Sequence, residues 1–566
     1  MENESTKGVQ IKNIDVEIRN LKTEAKAFVK TYGGSFQEID FQNFVANRNW
    51  QEDRITKFRG FLTEELRKLD NKKSEQSELL HLIPSNVKYF YDQYNDACAL
   101  IELEDHNETW PISSQTFKRY LIKWLVEAEK IPSSETVATL KNLSEAHALQ
   151  SNICYPLYNR VAEQSGAVYI DMADKEWHAI RISKDGAQVI NKVPPIFRRY
   201  SHQLPIEIDL KGQREDYQKY LNIFNFEHQR TLVEVYVGCL FIPSIPKPIL
   251  IPHGHYGAAK STFCKNIRAL IDPSQLPLLA MKNDEKELPQ LLNHHYCPFF
   301  DNVSELPQKT SDMLCRACTG EGITKRTLFT DDDDRIYQYR RGVALNGINV
   351  PSTAPDLIDR ALMVELKRIP EAKRLTEKEV EAILGPLRAK AIGYICKTLA
   401  DAMKIVDEIE KEITERPRMA DFAIFGESLA RSMGYEKNIF LSSYLKLAKE
   451  NAAIAVREHM LAGILLKFSE TDKGVELPFA DFYTRLRIMA EQDRLDTRSY
   501  EWPKSATAMG RKLNTLAPAL EEIGLKISFR NGTDNIKFVR VEKIDNLTTL
   551  QGNTTLKPFI KNEELI

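Results

Sequence analysis

The chain has no apolar run near the ~18 residues that a membrane-crossing helix needs. Its opening residues are polar and charged, which argues against a secretory leader. No membrane partner is expected, and a cytoplasmic location is. Charge of one sign is lacking as well: the formal net charge is −2 over 566 residues, so any surface for nucleic acid must be local. The eight cysteines are scattered, which excludes a disulfide framework and suits a reducing compartment. Internal repeats are missing. So are H-E-x-x-H, G-x-S-x-G and paired carboxylates for glycoside chemistry, which removes those hydrolase classes. With 42% hydrophobic and 28% charged residues, the chain can fill several cores, about three to five domains at this length.

What is present is a phosphate-binding pattern. Gly254-His-Tyr-Gly257-Ala258-Ala259-Lys260-Ser261-Thr262 fits G-x-x-x-x-G-K-[ST] except that Ala259 stands where the second glycine belongs. Pro248 to Pro252 predicts a short buried strand before it, and Phe263 to Leu270 a helix after it. A strand, a tight loop and a helix N-terminus aim several backbone N–H groups at one spot. Lys260 is expected to reach the β- and γ-phosphates, and the Ser261 hydroxyl to hold Mg²⁺. A guanine-reading N-K-x-D is absent, which favours ATP.

Nucleotide hydrolysis needs a second acidic strand end. His295-Tyr-Cys-Pro-Phe-Phe-Asp301-Asn302 supplies one, with Asp301 as the expected Mg²⁺ partner. Asn302 stands where a glutamate base is common. It can orient water but cannot take its proton, so the base is left to Asp301 itself, Glu305 or another group. Gly342-Val-Ala-Leu-Asn346 is a further apolar strand, whose Asn346 could touch the γ-phosphate or the attacking water. Arg360 follows a short turn and, in a ring, would project to a neighbour's nucleotide. Between these strands, Lys325, Arg326 and Arg335 flank an aspartate-rich hairpin tip and could grip a DNA strand. Cys315-Arg-Ala-Cys318 near His294 and His295 lacks a second pair for zinc, so core cysteines are the better reading.

Along the chain, residues 1–80 read as a helical region or tether and 81–205 as an α+β accessory region. Residues 206–370 read as a parallel α/β core, 371–460 as almost wholly helical, and 543–566 as a loose tail. Residues 461–542 combine helices with a strand pair joined at Asn531-Gly532. Lys504, Arg511 and Lys512 on the helix and Arg530 and Lys537 on the strands give the pattern of a DNA-binding winged helix.

These residues together resemble a known group. Gly-x-x-Gly-x-Ala-Lys-Ser is similar to the loop of minichromosome-maintenance helicases, and Leu357-Ile-Asp-Arg360-Ala-Leu to their arginine-finger segment. More widely, the chain resembles the AAA+ modules of phage and mobile-element primase-helicases, akin to superfamily 3. The similar pieces are His106-x-Glu-Thr-Trp110-Pro, Tyr158-Asn-Arg-Val-Ala-Glu163, Pro194-Pro-Ile-Phe-Arg-Arg199, Phe300-Asp-Asn302, Leu345-Asn-Gly-Ile348 and Pro417-Arg418-Met-Ala-Asp-Phe422. The resemblance implies an AAA+ core with a helical lid, and a ring, expected to be a hexamer, moving on single-stranded or forked DNA. It makes Arg418 a candidate second sensor of the nucleotide. Residues 1–80 are too few for a priming domain, so priming is expected from a separate partner. Two alternatives remain: a loader or remodeller of a replication protein, and a nucleotide-switched DNA-binding protein with little hydrolysis.

Overall fold

The computed structural model describes residues 2–544 apart from 33–37, 81–83, 327–333, 348–354, 499–501, 533–536 and isolated positions that include Glu305. The chain divides into two compact units, Met1–Leu103 with Glu108–Tyr155, and Glu104–Asn107 with Pro156–Ile566. The 81–205 stretch, expected as one region, thus straddles this division.

In the first unit, helices α1 (Glu2–Tyr32), α2 (Glu38–Ala46) and α3 (Glu52–Leu80) enclose Leu21, Phe28, Phe41 and Phe58. Aromatic pairs give this small core its shape; the Phe44 and Phe58 rings stack at 5.3 Å. Lys88–Tyr91 and Ala97–Leu103 have the pattern of a hairpin, and strands β1 (Val87–Tyr91) and β2 (Ala97–Glu102) pair antiparallel with Val87 opposite Ile101, while β3 (Asn107–Pro111) extends the sheet. Ser114 caps helix α4 (Gln115–Glu127) by accepting a hydrogen bond from the Phe117 N–H. Phe117, Leu121 and Leu125, spaced by four, face the core beside α5 (Ser134–Gln150).

The second unit opens with an antiparallel meander, β4 (Val161–Gln164), β5 (Ala167–Asp171), β6 (Ala179–Ser183) and β7 (Gly186–Ile190). Sequence patterning predicts only three of these strands. Val161-Ala-Glu-Gln164 is too short and too polar to show alternation. The sequence pattern over Glu215–Leu240 predicts one helix, but the structure breaks it into α6 (Arg214–Leu221) and α7 (Arg230–Cys239). Phe224 and Phe226 in the break turn inward, and both rings pack on Phe263.

A five-stranded parallel sheet forms the centre. Its strands are β8 (Ile249–His253), β9 (Leu279–Ala280), β10 (Phe299–Asp301), β13 (Ala344–Leu345) and β14 (Ala361–Glu365), in the order β14-β8-β13-β10-β9. Helices α8 (Lys260–Ile271), α9 (Glu287–His294), α10 (Gln308–Thr319) and α11 (Pro355–Ile358) connect them, with the hairpin β11 (Ile323–Arg326) and β12 (Asp334–Tyr337) inserted before β13. Side-chain amides cover the outer edge of β14. Gln229 donates to Met363 O and accepts from Glu365 N, both at 2.8 Å, and Asn451 donates to Ala361 O at 2.8 Å. These contacts occupy backbone groups that would otherwise template another strand.

Helices α12 (Glu377–Glu412), α13 (Ala420–Ser432) and α14 (Ile439–Glu458) follow. Thr376 and Glu379 form a capping box that starts the 36-residue α12. The C-terminal part runs α15 (Met460–Thr471), β15 (Glu476–Pro478), α16 (Phe479–Gln492), α17 (Ala506–Glu522), β16 (Leu525–Asn531) and β17 (Lys537–Lys543). Its sheet order is β15-β17-β16, and its core includes Phe468, Phe482, Trp502, Leu513 and Val541. The expected turn at Asn531-Gly532 is displaced. Asn531 pairs with Lys537, so the connection spans residues 532–536. No helix among the described residues is long and apolar enough to cross a membrane.

Candidate functional site

Ile249, Leu250 and Ile251 are buried in the middle of the sheet, so β8 delivers its C-terminal end rigidly to the loop that follows. Gly254 is required there: it has φ 136°, and a Cβ would lie 2.2 Å from Leu366 O. Gly257 takes φ 78° and lies under the Arg374 guanidinium, whose Nη2 is 2.9 Å from where a Cβ would stand. Ala259 is in the left-handed region as well, at φ 57° and ψ 33°, and caps α8. Alanine thus adopts the backbone that a glycine would adopt freely, at a cost of about 1–2 kcal/mol. The loop is closed by Ala258, which is buried.

Lys260 is the first residue of α8, and its Nζ donates to Gly254 O at 2.7 Å and to His255 O at 3.4 Å. Ser261 Oγ donates to Asp301 Oδ1 at 3.1 Å. Asn346, just past β13, donates from Nδ2 to Ser261 Oγ at 2.9 Å and also to the Asp301 carboxylate. Strand order explains this meeting. β13 lies between β8 and β10, so a side chain at its end falls between α8 and Asp301. Asn346 is 4% exposed and its Oδ1 has no hydrogen-bond partner, an acceptor held in place at the site. Thr262 lies on the first turn of α8, where its backbone carbonyl accepts from Asn266.

The Ser261 hydroxyl and the Asp301 carboxylate are hard oxygen donors within hydrogen-bonding distance of each other. That donor set fits Mg²⁺, which takes one or two protein oxygens and fills its other positions with water and phosphate. Asn302 follows with φ 54°, and its N–H bonds Asp301 Oδ1 at 3.0 Å. A cavity of about 450 Å³, lined by Leu279, Met281, Asp301, Asn302 and Ser304, opens beside the carboxylate. Glu305, the alternative base, lies outside the described residues.

Arg360 does not join this group in its own chain. β14 runs parallel to β8 with Ala361 beside Ile249, and Arg360 O accepts from Ile249 N. Arg360 therefore sits where the strands begin, and Gly254 where they have ended, roughly 20 Å away at about 3.3 Å per residue. Its guanidinium pairs with Asp356. Arg418, the candidate sensor, lies at the same far end: it binds Asp356 Oδ1 at 2.6 Å and also the Asp359 carboxylate. The cation that does lie over the loop is Arg374. No motif pointed to it, because it follows a 3-10 turn, Glu371–Lys373, in an irregular strap. The strap is tied down by Leu366 N to His253 O and Ile369 N to Gly257 O.

The cysteines of the C-x-x-C are buried on α10, and burial pushes the Cys315 thiol up to about 12. Lys325 stands opposite Arg335, and Arg326 opposite Asp334, on the β11–β12 hairpin, whose tip lies outside the described residues. On α17, Met509, Leu513, Leu516 and Leu520 are buried. Lys504, Thr507, Arg511 and Asn514 are exposed, and Lys512 is half-buried. Arg530 is committed to Glu476 at 2.8 Å and lies over the Phe538 ring, and Lys537 lies over Phe529.

Residues 217–445 match the family model of the actinomycete integrative conjugative element replication protein, and residues 454–554 match that of the RepA C-terminal domain of the same elements. The chain carries RepA replication-protein domains. The first RepA match takes in the loop at Gly254, Asp301, Asn346, Arg360 and Arg418; the second takes in α17 and the β16–β17 hairpin. No curated protein matches the chain. Among solved structures, the C-terminal region of NrS-1 in an apo form is similar at 10% identity, with 81% of this chain and 96% of that one covered and a TM-score of 0.36. A second apo structure of that region has 11% identity and a TM-score of 0.34 over the same shares.

Proposed function

We propose that this RepA-type chain is an ATP-driven DNA motor, a ring-forming AAA+ helicase or translocase that works in replication of a mobile element. The observation that carries the reading is the convergence of Lys260, Ser261, Asp301 and Asn346 at the C-terminal ends of three adjacent parallel strands. A loop, a hydroxyl–carboxylate pair and a polar reporter there have the parts of a phosphoryl-transfer site.

In this reading, the loop N–H groups and Lys260 bind the β- and γ-phosphates. Arg374 adds positive charge from the strap. Ser261 and Asp301 would hold Mg²⁺, which neutralises phosphate charge and bridges its oxygens. Asn346, with its free Oδ1, orients the attacking water. Arg360 lies at the opposite end of the sheet from its own loop, so in a ring it serves the site of the next protomer. The helix–strand–helix–helix–hairpin order of residues 460–543 supports a winged helix whose α17 face meets DNA.

Turnover of ATP and unwinding of a forked duplex test this. Wild type should hydrolyse ATP faster with DNA, and Lys260→Ala and Arg360→Ala should both abolish it. Turnover without unwinding would favour a loader. Asn302, which leaves Asp301 without a neighbouring carboxylate, favours a switch instead if wild type and Lys260→Ala are equally inactive.

A further inference from the structure

We propose that Arg418 is a positioning residue for Arg360. It takes up part of the Asp356 carboxylate, so that the Arg360 guanidinium keeps charge to offer the phosphate of a neighbouring copy. The proposal rests on the ring-ATPase reading of Arg360.

The geometry is a chain of alternating charges. Arg360 pairs with Asp356, Asp356 Oδ1 also binds Arg418 Nη2 at 2.6 Å, and Arg418 Nη1 reaches Asp359. Arg360 further donates from Nη1 to Asp356 O at 3.0 Å, which holds its stem along the α11 turn. Its side chain is 13% exposed, whereas those of Asp356, Asp359 and Arg418 are 46%, 41% and 44% exposed. Arg360, less exposed than Arg418, lines a cavity of about 190 Å³ together with Asp312, Arg316, Glu321 and Asp356.

Asp356 alone would neutralise Arg360 and hold it in. With Arg418 present, two cations share that carboxylate and Asp359 balances the second. The four groups then sum to zero while Arg360 stays only partly compensated. Arg418 brings this about from the connection just before α13, so the packing of the helical region sets how the arginine is presented. Asp359 and Arg418 both have their hydrogen-bonding groups turned toward this network, which argues for Arg418 acting through Arg360 rather than on phosphate itself.

The test measures kcat and KM for ATP in the full-length chain, with assembly size checked by light scattering. Arg360→Ala should remove turnover. Arg418→Ala should lower kcat on the order of tenfold, a coupling typical of groups in contact, with KM and assembly unchanged, and Arg418→Lys should restore part of it. In an Asp356→Asn background, where no carboxylate at 356 competes for Arg360, Arg418→Ala should have no further effect. Normal kcat in Arg418→Ala beside an inactive Arg360→Ala would overturn the proposal alone. So would a raised KM, or losses that add in the Asp356→Asn background. Full turnover in Arg360→Ala would overturn the ring reading itself.

Discussion

Arg160 Nε lies 3.4 Å from Asp272 Oδ1, and neither side chain has any exposed surface. Arg160 begins the meander, and Asp272 ends α8, the helix that starts at Lys260. Arg160 also donates to Asp171 O, Leu204 O and Pro273 O, and Asp272 accepts from Arg268 and from Cys297 N. The pair therefore anchors the meander to the far end of α8.

Removing one partner leaves a buried charge uncompensated. Arg160→Met or Asp272→Asn should each cost about 3–5 kcal/mol, seen as a lower midpoint in thermal unfolding. The double change Arg160→Met with Asp272→Leu should cost less than the sum of the single changes. Equal midpoints for wild type and Arg160→Met would refute this.

Arg268 gives a second consequence through His295. Its Nη2 lies 2.9 Å from His295 Nδ1, and His202 stacks on the same ring. Burial, then Arg268 and His202, push the His295 pKa down to about 3. A histidine with a depressed folded pKa binds fewer protons than the unfolded chain between the two values. Its stability contribution is complete above about pH 6.5 and is lost as pH falls from there toward 3, by up to roughly 1.4 kcal/mol per unit. His202 is shifted in the same direction, chiefly by burial. Denaturation midpoints should fall over this range, and His295→Asn should flatten the slope.

Ala259 sits in a left-handed conformation that costs alanine about 1–2 kcal/mol. Glycine would relieve it but adds about 0.4–1 kcal/mol of unfolded-chain entropy. Ala259→Gly should therefore raise stability by up to about 1.6 kcal/mol, whereas Ala259→Val, with a branched Cβ, should lower it. Calorimetry of the two variants decides the order.

Asn346 touches both Ser261 and Asp301, so Asn346→Ala should lower kcat for ATP by roughly a hundredfold and change nucleotide affinity little. Arg374→Ala should do the reverse and weaken ATP binding. A fluorescent ATP analogue and steady-state rates separate the two. Similar profiles for both variants would contradict the separate roles.

In the C-terminal part, Arg511 lies on the exposed face of α17, the face proposed to meet DNA, and Arg530 on β16 pairs with Glu476. Arg511→Ala should weaken DNA binding and reduce the salt slope by about one. Arg530→Ala should leave the slope nearly unchanged. A DNA titration at several salt concentrations reads both.

Much of this was legible in the chain. The apolar run Ile249–Ile251 and the Gly254–Thr262 pattern locate a strand, loop and helix because each signal is local. Asp301 and Asn346 stand out as polar ends of buried strands for the same reason. The break between Leu221 and Arg230 was not legible, since Phe224 and Phe226 leave the helical pattern only to meet Phe263. Nor was the β16–β17 register, where Asn531 pairs with Lys537 as a strand residue.

The sequence by itself determined that Gly254, Gly257, Lys260 and Ser261 share one loop and helix start, because spacing along one loop and one helix turn is set by the backbone. Tertiary structure alone decided which end of the sheet each arginine occupies. Arg374, Arg360 and Arg418 look alike along the chain. Parallel pairing of β14 with β8 sends Arg360, and with it Arg418 through Asp356, to the start of the strands, and the strap lays Arg374 on Gly257. That placement follows from strand order, which no local pattern encodes.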